Sequence, residues 1–239
     1  MAKKKKKGIG FRAIWRRARR LALWGGLLFL LAPIPVILLY AVVQPPLTTV
    51  QFARAWERTG TGERPIWPIR RPVDRRQMAS SLRRAVIASE DDRFYLHYGI
   101  DFVEIEKALE KRERGGKLRG ASTLTQQVAK NLFLWNGRSF IRKGMEAYLA
   151  LLLELCLTKE RILDLYLNLA EWGPNQFGIE AAARHHFRKS AAKLTAEESA
   201  RLAAILPSPR RWSPHGSIAS RRAATILERM RYAPPRRSP

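Results

Sequence analysis

The sequence predicts a mainly α-helical domain behind one N-terminal membrane-crossing helix. Three observations predict it. Leu21 to Val43 is uncharged for 23 residues. Beyond residue 76, apolar residues recur at helical spacing and several stretches open with helix-capping patterns. No segment alternates at period two, β-branched residues are few, and there is no internal repeat.

As a helix, the uncharged run measures about 34 Å, enough to cross the hydrocarbon core of a bilayer. Residues 1–20 hold ten cations and no acid (Lys3 to Lys7, Arg12, Arg16, Arg17, Arg19 and Arg20). Such a tail should stay cytoplasmic and send the rest of the chain outside. A cleaved signal peptide is the competing reading, but its apolar region would span only about 7–15 residues. Tyr40-Ala41-Val42-Val43-Gln44 also lacks a small-x-small site. Pro33 and Pro35 should kink the span, which membrane helices tolerate.

Gln44-Pro45-Pro46 ends the anchor, and residues 44–75, rich in Gly, Pro and charge, read as a juxtamembrane connector. From about Arg76 a helix with Leu82, Ala85, Val86 and Ala88 on one face delivers Glu90 at its end. Asp101 caps a helix whose apolar face is Phe102, Ile105 and Leu109, and which stops before Gly115-Gly116. Lys111 to Arg119 is a charged, glycine-containing loop. Thr123-x-x-Gln126 is a capping box that starts the next helix, with Gln126 and Lys130 on one face. Ser139 or the loop before it opens a helix that carries Arg142, Lys143 and Glu146, then the apolar run Tyr148–Leu157. That run is 10 residues long and is expected to be a core helix, since Glu154 interrupts it and it is too short to span a bilayer. Further helices are expected at about 159–169, 178–187, 196–206 and 217–231, with Thr195-x-x-Glu198 capping the third of these. Residues 233–239 read as a disordered tail.

Composition narrows the function. The formal charge is +25, from 45 Lys+Arg against 20 Asp+Glu. Outside the first 20 residues, 35 basic groups still face 20 acidic ones, so an anionic partner is implied: phosphate, lipid headgroup or nucleic acid. Cys156 is the single cysteine, which rules out an intramolecular disulfide, and no Cys/His cluster has zinc-ligand spacing.

Two widely spaced glutamates each sit in a motif. Glu90-Asp91-Asp92-Arg93-Phe94-Tyr95-Leu96-His97-Tyr98-Gly99 holds the first, and Arg142-Lys143-Gly144-Met145-Glu146 the second. Between them runs Gly120-Ala121-Ser122-Thr123-Leu124-Thr125-Gln126-Gln127-Val128-Ala129-Lys130-Asn131. Carboxylates among hydroxyls, amides and fixed cations suit chemistry at a sugar carbon whose leaving group is a phosphate.

Together these motifs resemble the family 51 glycosyltransferases, the peptidoglycan transglycosylases, over roughly Arg76 to Pro214. Glu90, Asp91, Phe94, His97 and Gly99 match the family's E-D-x-x-F-x-x-H-x-G. Gly120 to Asn131 matches G-G-S-T-[IL]-T-Q-Q-x-x-K-N, with Ala121 in place of the second glycine. Arg142, Lys143 and Glu146 match R-K-x-x-E, and Lys159 to Asn168 is similar to a fourth conserved helix. Ala121 removes some backbone freedom at the loop-to-helix junction. With no penicillin-binding half before Pro239, the chain resembles the monofunctional form.

The resemblance implies a lysozyme-like helical glycosyltransferase domain over 76–232. It also implies polymerisation of lipid II, a disaccharide-pentapeptide on undecaprenyl pyrophosphate, by β-1,4 bonds at the bacterial inner membrane. It assigns Glu90 as general base. Glu146 is expected to orient the cations, or a bound metal, near the pyrophosphate. Lys130, Arg138, Arg142 and Lys143 are the cations expected there, and Asp91, Phe94, His97, Ser122, Thr123, Gln126, Gln127 and Asn131 complete the expected substrate site. His97 is expected to shape the Glu90 loop rather than shuttle protons. No tightly bound cofactor is implied, and a divalent cation (Mg2+ or Mn2+) stays open. The expected partners are lipid II, the growing glycan, inner-membrane lipids and cell-wall synthesis proteins, and not nucleic acid. Two rivals remain: a lysozyme-like hydrolase, for which the cation density around Glu146 has no use, and a non-enzymatic basic binding protein tethered to the membrane.

Overall fold

A computed structural model describes residues 11–57, 67–116, 122–135, 137 and 139–232, with side chains from residue 14 onward. Helix α1 (Phe11–Leu31) begins inside the cationic segment, earlier than the uncharged run alone suggested. It passes at Ala32 into α2 (Pro33–Val42), with Pro33 at the first turn of the new helix. Ile14–Leu39 is long and apolar enough to cross a membrane, and its most apolar window is only 6 % buried. A core helix would be buried, so protein packing does not account for this apolarity.

The lower end of this segment is packed onto the domain. Ile37 is fully buried, with Tyr40 and Ala41 packed against the same core. Carbonyls that α2 leaves unbonded at its end are taken up by Arg161, which donates to Tyr40 O and Val43 O, both at 2.7 Å. Helix α3 (Thr49–Trp56) follows at once, opened by a reciprocal Thr48/Gln51 capping box. Its Thr49 hydroxyl donates to Leu134 O at 2.6 Å. Part of the expected connector is therefore a docked helix. Its glycine-containing stretch, residues 58–66, lies outside the described residues, as do the tail residues 1–10 and 233–239.

The domain body is helical: α4 (Ser80–Glu90), α5 (Phe102–Glu113), α6 (Leu124–Phe133), α7 (Phe140–Cys156), α8 (Lys159–Leu169), α9 (Ile179–Phe187), α10 (Ala196–Ile205) and α11 (Ser217–Tyr232). Their ends follow local chemistry. Side chains of Asp101, Thr123, Ser139, Thr158 and Thr195 accept from first-turn N–H groups that have no partner within the helix. The core centres on α8, whose residues Ile162 to Leu169 are all buried, with α6, α4 and α10 around it.

Three expectations are corrected. A small sheet is present: β1 (Ile69–Arg70) pairs in parallel with β3 (Gln176–Phe177), which pairs antiparallel with β2 (Glu171–Gly173). Strands of two or three residues are too short to show period two. On α5 the expected apolar face is not a core face, because Phe102 and Leu109 are exposed and Ala108 is the one buried residue. On α7 the apolar run is only half buried. Leu149, Ala150 and Leu153 pack inward, while Leu151 and Leu155, rotated to the other side, are exposed. Cys156 is half-buried.

Candidate active site

Glu90 is the last residue of α4, and it lines a cleft of about 220 Å³ together with Ser89, Asp92, Ser122, Thr123 and Arg229. Its polar partners are neutral. Gln127 on α6 donates from its amide to Glu90 Oε2 at 3.1 Å, and the Ser89 hydroxyl donates to Oε1 at 3.4 Å. The Gln127 amide is itself oriented, because the buried Tyr166 hydroxyl donates to its oxygen at 3.3 Å. Burial pushes the Glu90 pKa up. The bonds from Gln127 and Ser89 and the charge of Arg222 on α11 pull it back only in part. Burial also raises Tyr166 well above the usual phenol range, so that its hydroxyl keeps the proton it donates.

The loop after Glu90 is held by buried polar contacts. Asp91 accepts from Leu124 N at 2.9 Å and lies 3.0 Å from His97 Nε2. Asp101 accepts from Val103 N and Glu104 N and pairs with Arg93 at 2.9 Å. Ligand atoms of Asp91, His97 and Asp101 lie within 4.8 Å of one another, as a metal site would require. Their oxygens already accept from N–H groups, however, and Arg93 supplies the positive charge. This donor set does not fit a divalent cation without displacing that guanidinium.

Gly99 closes the loop in a left-handed conformation (φ 76°) that favours glycine, and a Cβ there would stand 3.0 Å from Ala150 O. Its N–H donates to Glu154 at 3.1 Å and its carbonyl accepts the Thr123 hydroxyl at 2.6 Å. Glu154, 5 % exposed, also accepts from Thr125 at 2.6 Å and Lys159 at 2.7 Å. Lys159 in turn donates to His97 O at 2.6 Å and lies over the Phe94 ring. One buried ion pair thus joins the first two motifs to α7 and α8.

Glu146, on α7, is the second motif glutamate, buried at 4 % exposed, and its partners are cations. Arg142 donates to Oε2 at 2.7 Å and Lys143 reaches Oε1. Helical spacing places both cations on the face of Glu146. Lys143 also donates to Ser122 at 2.9 Å and to Gln126 Oε1 at 3.5 Å. Lys130 shares this electrostatic neighbourhood. Burial depresses its pKa, Glu146 opposes the shift, and the charges of Arg142, Lys143 and Arg54 add to it. Helix α6 is the common wall, with Gln127 reaching Glu90 and Gln126 reaching Lys143.

The expected site residues therefore separate. Glu90, Gln127 and Ser122 line the cleft or bond to its edge, and Glu146, Arg142, Lys143 and Lys130 cluster beside them. Thr123 and Asp91 also line the cleft, and with Gln126 and His97 they are buried or half-buried and hold helix ends and the loop. Phe94 is fully buried and packs in the core. Asn131 is half-buried, and its backbone carbonyl lies 3.3 Å from the Thr49 hydroxyl. Arg138, Gly120 and Ala121 lie outside the described residues. Sequence reasoning missed Glu154, Lys159, Tyr166, Arg222 and Arg54 as contributors. Glu154 had a signal, because a carboxylate inside an apolar helix must find a partner.

Comparison with known proteins identifies the family. The transglycosylase family model matches residues 62–231. A biosynthetic peptidoglycan transglycosylase of Xanthomonas campestris pv. campestris (strain B100) is 46 % identical over 221 residues, 90 % of each chain. One from Pseudomonas entomophila (strain L48) is 48 % identical over 212 residues, covering 87 % of this chain and 88 % of the relative. One from Pseudomonas aeruginosa PAO1 is 44 % identical over 228 residues, covering 92 % and 93 %. On the match over most of its length and the identity to these relatives, the chain belongs to the transglycosylase family.

Proposed function

We propose that the protein is a peptidoglycan glycosyltransferase that joins lipid II disaccharides by β-1,4 bonds and releases undecaprenyl pyrophosphate. The observation that carries this is the pair of carboxylates linked through α6, one among neutral donors and one among cations. A sugar hydroxyl is a poor nucleophile, so its proton must leave as the new bond forms. Glu90, whose pKa is raised by burial, is the base. The acceptor C4 oxygen bonds to C1 of the growing chain, its proton passes to the Glu90 carboxylate, and the C1–O bond to phosphate breaks with inversion.

Pyrophosphate already leaves well and needs charge neutralisation more than a strong acid. Fixed cations supply it without reorganising. Arg142, Lys143 and Lys130 have that task, and Glu146 holds the first two in place. A divalent cation bound by Glu146 would have to displace Arg142 or Lys143 from its oxygens. The cation cluster also favours transfer over hydrolysis, since a glycosidic oxygen offers it no anion to neutralise.

The N-terminal helix is proposed as an uncleaved single-pass anchor in the bacterial inner membrane. Residues 1–20 would lie in the cytoplasm, 44–75 would connect, and 76–232 would form the extracytoplasmic domain, in reach of membrane lipids and cell-wall synthesis proteins. The test is to incubate the purified full chain with labelled lipid II and separate the products by size. Long glycan is expected. Failure to polymerise, or release of soluble fragments from lipid-free peptidoglycan, would overturn the reading.

A further inference from the structure

Beside the Glu90 cleft lies a larger cavity of about 430 Å³ between the end of α4, the loop after it and the last turns of α11. Ile87 and the exposed Leu96 supply apolar carbon, and Asp92, Arg93, Glu228, Arg229 and Tyr232 stand around it, with Arg93 held by Asp101. The two spaces are continuous, because Ala88, Asp92 and Arg229 line both. Among the described residues, none of Asp92, Glu228 and Arg229 forms a salt bridge, and Arg229 makes one long bond, 3.5 Å, to Ala88 O. Charges of both signs stand here beside aliphatic carbon, without, among the described residues, an exposed aromatic face on which a sugar ring could stack other than Tyr232. They complement a short, flexible chain with carboxylates and an ammonium group.

We propose that this cavity is a subsite for the peptide branch of the saccharide that reacts at Glu90. The inference rests on the proposed function, since it needs a peptide-bearing sugar in the adjoining cleft. A branch leaving that sugar enters the second cavity past Arg229, which faces both spaces. Arg229 would take a carboxylate, Asp92 and Glu228 the ammonium, and Ile87 and Leu96 the aliphatic carbons between.

The experiment uses the full chain in detergent with two lipid-linked disaccharides. One carries the complete peptide, and the other a branch cut to a single residue and capped as the amide. The parent should show a KM about ten-fold higher for the trimmed substrate, equivalent to about 1.4 kcal/mol, with similar kcat. Glu228→Arg should raise the KM for the complete substrate and change that for the trimmed one much less. Equal KM values in the parent would overturn the subsite, as would a variant that raises both alike. Absence of polymer from either substrate would instead overturn the glycosyltransferase reading beneath it.

Discussion

The two motif glutamates, Glu90 half-buried and Glu146 buried, differ most in what surrounds them. Glu90 meets an amide and a hydroxyl, while Glu146 meets a guanidinium and an ammonium group. Neutral donors leave burial as the larger influence on Glu90, so its affinity for a proton rises, as a base requires. Glu146 has its charge matched by neighbours on its own helix and serves as their anchor. Two identical side chains, both linked to α6, would take different parts in the proposed reaction.

The sharpest way to break this comparison is to neutralise each carboxylate in turn. Glu90→Gln should lower polymerisation by about 10²–10⁴-fold, the range for loss of a general base. The same variant should be more stable than the parent at neutral pH. Because the folded-state pKa is raised, the cost of ionising Glu90 develops as pH rises from the ordinary carboxylate value through the raised one. Parallel rate measurements and thermal melts check both halves. A variant that polymerised at the parent rate would remove Glu90 from the mechanism.

Glu146→Gln should instead cost stability as well as rate. It strands Arg142, 12 % exposed, without its carboxylate, and breaking one side of such a buried pair costs about 3–5 kcal/mol. A melt unchanged from the parent would show that the pair is not structural.

Arg142 sharpens the cationic end. Arg142→Ala should lose about 2–4 kcal/mol of transition-state stabilisation, as for removal of a preorganised charge donor. Arg142→Lys should already be impaired, because a point charge cannot grip phosphate oxygens in the bidentate way of a guanidinium. Initial rates at saturating lipid II decide this, and full activity in the lysine variant would refute the bidentate role.

The smallest expected effect lies at the neutral end. The acid limb of the kcat/KM profile should fall above the usual carboxylate range, since Glu90 must be ionised to accept a proton. Gln127→Ala removes a bond that favours the ionised form, so the limb should move to higher pH. A limb that stays in place would mean that a different group titrates.

Much of this molecule was legible before folding. Capping residues and apolar spacing placed α4 to α11 within a few residues of their ends, because helix starts depend on a local side-chain bond to the first turn. The uncharged run and both glutamates were equally plain, since each is a property of neighbours in the chain. Spacing also put Arg142 and Lys143 on the face of Glu146.

Only tertiary structure decided the rest. That Gln127 rather than a cation meets Glu90, and that Tyr166 orients it, depends on α4, α6 and α8 converging from distant parts of the chain. Burial of Phe94, exposure of Phe102 and Leu155, and the pairing of Glu154 with Lys159 follow from which helix face finds a neighbour. Periodicity marks a face as apolar without saying what covers it. The sequence by itself determined which groups were present and which helices carry them, whereas packing determined how strongly Glu90 holds its proton, because that depends on water excluded and dipoles aimed by residues far away in the chain.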